Sequence, residues 1–226
     1  MKIIKGNIFT SQCQTRVNTV NCVGVMGAGI ALEFKLRYPN MFAQYLTICE
    51  KKSLDIGKLW LYKQEQAWVL NFPTKKHWKY PSKMDYLKLG LDKFMATYKD
   101  KDIKSIAFPL LGASKGGLNE DKVLALMESY LQHCSIPVEI YQYDPTATDD
   151  LFIRFRQLIL ESSDAELIQS SGLRQQAIHK LTDALENSRI CTISQLSTVQ
   201  GIGEVTLKKA FMLMSQPIQK QETLFN

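Results

Sequence analysis

Hydrophobic and polar positions along the first 143 residues follow two alternating periods. Short apolar runs bounded by turn residues predict strands, whereas apolar residues spaced three to four positions apart predict helices. The runs predict strands at residues 2–9, 15–21, 57–64, 68–72, 104–111 and 138–143. The helical spacing predicts helices at residues 30–37, 41–50, 83–98 and 121–133. This alternation predicts an α/β sandwich with a largely parallel sheet, in which 57–64 and 68–72 form a hairpin.

A second region, helical throughout, is predicted beyond residue 150. The segment 145–150, P-T-A-T-D-D, is polar and turn-rich and marks a domain boundary. The pattern therefore predicts a first domain at residues 1–146 and a helical domain at residues 151–216, with helices at 151–160 and 173–186. No internal repeat is evident, and the glutamine-rich tail at residues 217–226 is predicted to be disordered.

Composition argues against several classes of protein. No apolar run is long enough to cross a bilayer, and a strand-like pattern begins at residue 2 without a signal peptide, so we expect a cytoplasmic protein with no membrane partner. The five cysteines are scattered and the chain has three histidines. We therefore expect reduced thiols, no metal and no cofactor. The net charge of +6 permits a nucleic-acid partner without requiring one.

The first stretch that suggests chemistry joins the strand at 15–21 to the helix at 30–37. It contains Gly24, Gly27 and Gly29, and glycine lets a ligand approach the main chain closely. The unpaired N–H groups at the start of the helix suit a phosphate or diphosphate. A tight strand-to-helix turn in any α/β protein explains the same glycines equally well.

A second glycine loop, G-A-S-K-G-G at residues 112–117, also follows an apolar strand and precedes a helix. In an open parallel sheet such loops lie at the carboxyl ends of the strands, where ligands bind. The two loops together are therefore expected to clamp a diphosphate with their backbone N–H groups.

The segment at residues 71–83, N-F-P-T-K-K-H-W-K-Y-P-S-K, interleaves lysines with aromatic residues and is predicted to leave its strand after Pro73. Cations beside rings suit pairing with phosphates and stacking on bases. Adjacent lysines and partial burial lower a lysine pKa, so one of these amines could act as a nucleophile. The alternative is a solvated basic loop in which Trp78 covers the core.

Three motifs resemble those of macro domains in order and spacing: N-T-V-N-C-V-G-V-M-G-A-G-I-A-L-E-F-K, N-F-P-T-K-K-H-W and P-L-L-G-A-S-K-G-G-L. The match is closest to the branch that contains the DNA ADP-ribosyl glycohydrolases, which are antitoxins paired with DNA ADP-ribosyltransferase toxins. The resemblance implies a three-layer α/β/α macro domain with a mixed, largely parallel sheet, followed here by a small all-helical domain. It also implies an ADP-ribose pocket.

The resemblance implies roles for residues along this pocket. Gly6, Asn7 and Ile8 would lie near the adenine, and many macro domains have Asp where Asn7 stands. Relatives have glycine where Ser114 stands and an aromatic residue where Glu120 stands. The residues expected to bind ADP-ribose are Asn7, Ile8, Asn21, Gly24, Met26, Gly27, Gly29, Ile30, Thr74, Gly112, Ser114, Lys115, Gly116, Gly117 and Leu118.

The first lysine after N-F-P-T is catalytic in this branch, and Lys75 stands there. The resemblance implies that its amine attacks the anomeric carbon once the ribose ring has opened, which releases the base. A related eukaryotic branch has an assisting aspartate where Gly116 stands, so no such helper is expected. Lys76, His77 and Trp78 are expected to contact DNA.

Residues 196–211 in the helical domain resemble a helix-hairpin-helix element. Gly201 and Gly203 would turn the chain so that amides of the next helix meet a DNA phosphate, with Lys208 nearby. The alternatives are a hairpin that only packs and a surface on which a toxin docks.

These features together predict a monomeric enzyme that removes ADP-ribose from nucleobases in DNA and acts as an antitoxin. Its expected partners are ADP-ribose, ADP-ribosylated DNA and a DNA ADP-ribosyltransferase toxin. The alternatives are an ADP-ribose reader without turnover, an antitoxin that sequesters its toxin, and a hydrolase that acts on ADP-ribosylated protein.

Overall fold

A computed structural model describes residues 1–65 and 67–215. The chain divides into two compact units, one at Met1–Asp149 and one that begins at Asp150. The tail at residues 217–226, predicted to be disordered, lies outside the described residues. In the part of the chain that the structure describes, no helix combines the length and the apolar character needed to cross a membrane.

Within the described residues, the first unit is built on a six-stranded sheet. Its strands are β1 (Lys2–Gly6), β2 (Thr15–Asn21), β3 (Trp60–Tyr62), β4 (Trp68–Lys75), β5 (Ile106–Pro109) and β6 (Val138–Tyr143). Their spatial order is β1-β6-β5-β2-β4-β3. The β3–β4 pair is antiparallel and the other pairs are parallel. The predicted mixed, largely parallel sheet and its hairpin are confirmed.

Helices cover both faces of this sheet. They are α1 (Gly29–Arg37), α2 (Pro39–Glu50), α3 (Met84–Thr97) and α4 (Glu120–Leu131). Successive side chains of a strand point to opposite faces, and β4 shows the consequence. Val69 packs in a core with Phe34 of α1 and Tyr45 of α2, whereas Leu70 packs in a core with Leu91 of α3. The three-layer arrangement follows from these two cores.

Helix α3 lies very close to the sheet because residue 90 is glycine. A Cβ atom at Gly90 would lie 2.1 Å from the Cζ atom of Phe72, and Phe72 is fully buried. We expect Gly90→Ala to lower the free energy of unfolding by about 1–3 kcal/mol, although alanine is the better helix former. Urea unfolding measures the loss. Lys93→Ala, at an exposed position of the same helix, should change it by less than about 0.5 kcal/mol. An unchanged or stabilised Gly90→Ala variant would contradict this packing.

Several strand boundaries differ from the predicted ones. β1 ends at Gly6 because the Asn7 side chain caps a 3-10 turn, Ile8–Thr10. β3 and β5 are shorter than predicted. β4 is longer, and the predicted departure from the strand after Pro73 is wrong, because β2 pairs with β4 as far as Lys75.

The described part of the second unit is helical. Its helices are α5 (Asp150–Glu161), α6 (Asp164–Ser171), α7 (Gln175–Glu186), α8 (Ile193–Leu196) and α9 (Glu204–Met212). Helix α6 was not predicted, although its signal is present in the sequence. Ser163 and Glu166 form a capping box, and Ser-x-x-Glu is the pattern for one. The first unit extends to residue 149, whereas the predicted domain ends at residue 146. The Asn7 side chain donates hydrogen bonds to the backbone oxygen of Ala147 and to the Asp149 carboxylate, which ties this segment to the first unit.

Two glycine turns in the second unit have the same backbone conformation. Gly172 and Gly201 have positive φ values of 62° and 89°, and each precedes a buried apolar residue and then a helix, α7 or α9. A lysine follows eight residues after each glycine, and each lysine reaches the other hairpin. Lys209 Nζ donates to the Gly172 oxygen at 3.0 Å, and Lys180 Nζ packs against Gly201. Each turn is therefore fastened by a lysine from the helix that follows the other turn.

Candidate functional site

The carboxyl ends of the parallel strands meet along one edge of the sheet, where ligands bind in folds of this class. Strand order puts Asn7, directly after β1, at one end of this edge and Lys75, the last residue of β4, near the other. The glycine loops after β5 and β2 lie between them. Four strand spacings separate β1 from β4, a distance of about 19 Å. The edge is therefore an elongated site that brings the three motifs together.

The side chain of Asn21 shapes the first glycine turn. Its Oδ1 atom accepts hydrogen bonds from the N–H groups of Val23 at 3.0 Å and Val25 at 3.3 Å. Tyr45 Oη donates to the backbone oxygen of Asn21 at 2.7 Å. Gly24 has a positive φ of 82°, which favours glycine there. The described bonds of Asn21 thus fold the turn, and its contact with a ligand stays a prediction.

The starts of α1 and α4 differ in their suitability for an anion. Helix α1 begins after Ala28 with no side-chain cap, and its first turn carries no acidic residue. Helix α4 is capped by the Asn119 side chain and carries Glu120 and Asp121 in its first turn. Amides and the helix dipole attract an anion where no cap or carboxylate already uses them. The start of α1 therefore suits an anion better than the start of α4 does.

The second glycine loop is a compact turn held against Ser82. Ser114–Gly116 forms a 3-10 turn between Gly112 and Gly117, whose φ values are 63° and 78°. A Cβ atom at Gly112 would lie 2.9 Å from Ser82 Cβ, and one at Gly116 would lie 2.6 Å from Ser82 Oγ. The Ser82 N–H donates to the Gly116 oxygen at 3.0 Å. Glycine at these two positions lets the loop pack against the chain after β4.

Lys115 links the second loop to both other motifs. Its Cγ atom lies 3.5 Å from the position that a Cβ would take at Gly29. Its backbone oxygen accepts a hydrogen bond from Lys75 Nζ at 2.6 Å. Asn21 and Lys75 are partners in the β2–β4 ladder, after a register shift near the end of β2. The structure thus brings the first turn, the second loop and Lys75 to one junction.

Two nucleophilic side chains lie at this junction, and their pKa values move in opposite directions. Burial lowers the pKa of Lys75 from its usual value, which raises the fraction of neutral amine. Burial, together with the nearby Asp55 carboxylate, raises the pKa of the Cys22 thiol to about 12. Only the thiolate of a cysteine is strongly nucleophilic. Cys22 is therefore held protonated, and Lys75 is the candidate nucleophile.

The chain after Lys75 presents aromatic rings to solvent. Trp78 and Tyr80 are 48% and 65% exposed, so Trp78 does not cover the core. The His77 ring stacks on Trp78 with centroids 5.8 Å apart, and it lies 5.4 Å from the Tyr80 ring. Lys79 Nζ lies 5.2 Å from the Trp78 ring centre. These rings and cations form a surface on which bases can stack.

Several residues predicted to bind ADP-ribose have buried side chains. Asn7 and Ile8 are 6% and 5% exposed, Met26 is 1% exposed and Thr74 is 4% exposed. Met26 packs in the core beneath the first turn with Phe34. Such residues can offer a ligand their backbone rather than their side chains. Gly201, Gly203 and Lys208 belong to the second unit.

A family model for the macro domain matches residues 17–127 of the chain. The solved macrodomain of Mycobacterium tuberculosis DarG is 39% identical, with a TM-score of 0.60. The alignment covers 62% of this chain and 95% of that one. This chain belongs to the macro domain family. The predicted resemblance is confirmed, and the first unit is a macro domain.

Two further relatives of the macro domain have names that bear on chemistry. A DNA ADP-ribosyl glycohydrolase from Thermus aquaticus is 36% identical over 149 residues, which are 64% of this chain and 41% of the relative. The solved structure of Thermosipho africanus DarTG in complex with ADP-ribose is 40% identical, with a TM-score of 0.60, over 62% of this chain and 40% of that chain. The chain thus spans about 40% of the length of these relatives.

Tyr80, one of the aromatic residues of the predicted lysine-aromatic segment, extends the exposed aromatic surface. Two residues at or near the site were not identified from sequence. Ser82 supports the second loop, and Asp149 accepts a hydrogen bond from Asn7. The roles of Ser82 and Asp149 depend on contacts between distant segments, for which the sequence carries no local signal. Among the described residues, no cluster of His, Cys, Asp and Glu side chains is arranged to hold a metal ion.

Proposed function

We propose that this chain is a DNA ADP-ribosyl glycohydrolase that releases ADP-ribose from a nucleobase in DNA, with Lys75 as the nucleophile. The observation that carries the proposal is the environment of Lys75. Its amine, with a lowered pKa, stands where both glycine loops converge. The names of the relatives from Thermus aquaticus and Thermosipho africanus support the same activity.

The proposed orientation of ADP-ribose follows the strand order. The nucleoside lies at the β1 end, beside Ile8 and Ile30. The diphosphate lies between the start of α1 and the loop at residues 112–117, where backbone N–H groups can bind it. The distal ribose then points towards β4 and Lys75. ADP-ribose in the Thermosipho africanus complex supports this choice of ligand.

The proposed chemistry needs a neutral amine. After the ribose ring opens, the anomeric carbon is joined to the base as an iminium, and the Lys75 lone pair attacks it to form a new C–N bond. The bond from that carbon to the base then breaks, and the base leaves with a proton from the Lys75 nitrogen. Water hydrolyses the resulting lysine imine, which frees ADP-ribose and restores the amine. The hydrogen bond to the Lys115 oxygen orients the amine before attack.

The direct test compares two substrates for the wild-type chain. One is an oligonucleotide with ADP-ribose on a base, and the other is a peptide with ADP-ribose on glutamate. We expect release of ADP-ribose from the oligonucleotide. Binding of ADP-ribose without release from either substrate would identify a reader, and release from the peptide alone would identify a protein hydrolase. Either result would overturn the proposal.

The exposed aromatic surface is proposed to bind the DNA that flanks the modified base, together with Lys76 and His77. Stacking on one ring contributes about 1–3 kcal/mol per base. We therefore expect Trp78→Ala to raise KM for a modified oligonucleotide about ten-fold, while the Kd for free ADP-ribose stays unchanged. Tyr62→Ala, on the edge strand β3, serves as the control. An unchanged KM in the Trp78 variant would remove this surface from the proposal.

The second unit is proposed to bind the DNA backbone through its helical hairpins. Helix α9 starts after Gly203 with no side-chain cap, and it carries one acidic residue, Glu204, in its first turn. Gly201 turns the chain before it, and the exposed Lys208 supplies a cation. Such contacts read phosphates and not bases. We expect Lys208→Ala to reduce the slope of log affinity for DNA against log salt concentration by about one. An unchanged slope would favour a packing role or a protein-docking role for the hairpin.

The relative from Thermosipho africanus is a fusion of a DNA ADP-ribosyl transferase and a DNA ADP-ribosyl glycohydrolase. We propose that the present chain opposes a transferase of that kind, as its antitoxin. Removal of the modification by Lys75 is sufficient for such a role. Co-expression with a DNA ADP-ribosyl transferase should therefore restore growth of the host cell.

A further inference from the structure

A buried polar cluster lies at the β1 end of the site. Asn7 Nδ2 donates to Asp149 Oδ2 at 3.0 Å. Arg37 Nη2 donates to both carboxylate oxygens of Asp149 at 2.9 Å. The Asp149 residue is 4% exposed, and the Arg37 side chain is 10% exposed. One carboxylate therefore joins the turn after β1, the end of α1 and the chain after β6.

Each partner of this carboxylate also fixes a residue at the ligand edge. The Oδ1 atom of Asn7 accepts from the Phe9 N–H at 3.0 Å, which holds the turn that contains Ile8. The Arg37 guanidinium lies 3.9 Å from the Phe9 ring centre. Ile30, in the first turn of α1, packs in the same apolar cluster as Ile8 and Phe9. The cluster thus fixes the position of the 3-10 turn after β1 relative to helix α1.

We infer that Asp149 is a positioning residue for the nucleoside of ADP-ribose, acting through Asn7 and Arg37. The inference rests on the proposed function for the identity of the ligand. A buried ion pair often stabilises a fold no better than apolar groups of the same size. What it supplies here is one defined donor and acceptor geometry between three segments. That geometry fixes the position of Ile8 relative to the start of α1, where the diphosphate is proposed to bind.

An exchange of side chains tests this geometry without changing the net charge of the cluster. Asn7→Asp alone sets two carboxylates against each other. Asp149→Asn alone places an amide NH2 group, itself a donor, between the donors of Asn7 and Arg37, so that one former acceptor position is lost. The double variant restores the donor–acceptor pair between positions 7 and 149, because the amide nitrogen placed at position 149 would donate to the carboxylate placed at position 7, and that carboxylate still caps the turn at Phe9. Arg37 then keeps the amide oxygen at position 149 and the Glu33 carboxylate as acceptors. Asn7→Ser is a milder companion that keeps the cap but cannot reach Asp149.

The experiment uses the full chain and titrates ADP-ribose by calorimetry, well below each unfolding midpoint. We expect each single variant to raise the Kd for ADP-ribose about ten-fold, and KM for the modified oligonucleotide in proportion, with kcat within about two-fold of wild type. The double variant should bind ADP-ribose at least about three-fold more tightly than either single variant, because the pair between positions 7 and 149 is restored. Asp164→Asn, which removes an exposed pair with His179 in the second unit, should change none of these values.

Two results would overturn the inference. Single variants that melt at lower temperature but bind ADP-ribose as wild type does would show a purely structural role. A folded double variant that does not regain affinity would show that the pairing is not what positions the ligand. Failure of the proposed function has a different signature, since the wild-type chain would then bind ADP-ribose without releasing it from DNA. A wild-type chain that binds no ADP-ribose would overturn both.

Discussion

Lys75→Ala is expected to slow release of ADP-ribose from a modified oligonucleotide by at least about 1,000-fold, because it removes the amine that we propose as the nucleophile. The Kd for free ADP-ribose should stay within about three-fold of wild type, since the diphosphate is proposed to bind to backbone groups of the two glycine loops. Single-turnover kinetics on the oligonucleotide and calorimetry with ADP-ribose measure the two quantities separately. The expected pattern is a loss in kcat with little change in binding.

Lys75→Arg tests whether the site needs a neutral amine or only a positive charge. Arginine stays protonated in proteins, so this variant should be as slow as Lys75→Ala although it keeps a cation at the site. Lys51→Ala, at the exposed end of α2, is the matched lysine control and should retain wild-type activity. A Lys75→Ala variant within about ten-fold of wild type would contradict the assignment of the nucleophile.

The Lys75→Ala variant can also be tested in cells that carry a DNA ADP-ribosyl transferase, by measuring whether it restores their growth. If the chain works by removing the modification, wild type should restore growth and Lys75→Ala should not. If it works by sequestering the transferase, both should restore growth, because Lys75 would have no part in that contact. The comparison therefore distinguishes an enzymatic antitoxin from a binding one.

The sequence predicts those parts of the fold that have local causes. Apolar runs predict the strands of the parallel sheet, and glycines mark the two loops that lie at its carboxyl edge. Helix α6 had a local cause as well, in its Ser163–Glu166 capping box, and could have been predicted. The continuation of β4 to Lys75 could not, because it depends on pairing with β2. Lysine and proline are otherwise poor residues for a strand.

The parts of the site that could not be predicted come from contacts between distant segments. The Lys75 amine finds its partner in the backbone oxygen of Lys115, 40 residues away. Asn7 finds Asp149, 142 residues away. Neither pair has a spacing or a residue pattern that marks it in a single sequence. The lysine contacts between the two glycine turns of the second unit have the same cause, since each joins segments that are distant in sequence.

Gly27→Val is expected to weaken ADP-ribose binding about 100-fold, which corresponds to about 2.7 kcal/mol, while stability stays close to wild type. The residue is exposed, and among the described residues a Cβ atom added there would meet, beyond its chain neighbours, only Val25 Cγ1 at 3.9 Å. The protein therefore leaves open space beside Gly27, where the proposed diphosphate would lie against the start of α1. A valine side chain fills that space without clashing with the fold. Calorimetry and thermal unfolding together measure the two effects.

The contrast with Gly116 makes this expectation specific. A side chain at Gly116 would strike Ser82, so loss of binding in a Gly116 variant could come from a displaced loop. At Gly27 the described residues offer no such obstacle, so we expect any loss of affinity to come from the space that the ligand needs. Ala43→Val adds comparable bulk at an exposed position of α2 and should leave binding unchanged. If Gly27→Val binds ADP-ribose as wild type does, the diphosphate does not lie at the start of α1, and the proposed orientation of the ligand along the sheet edge fails with it.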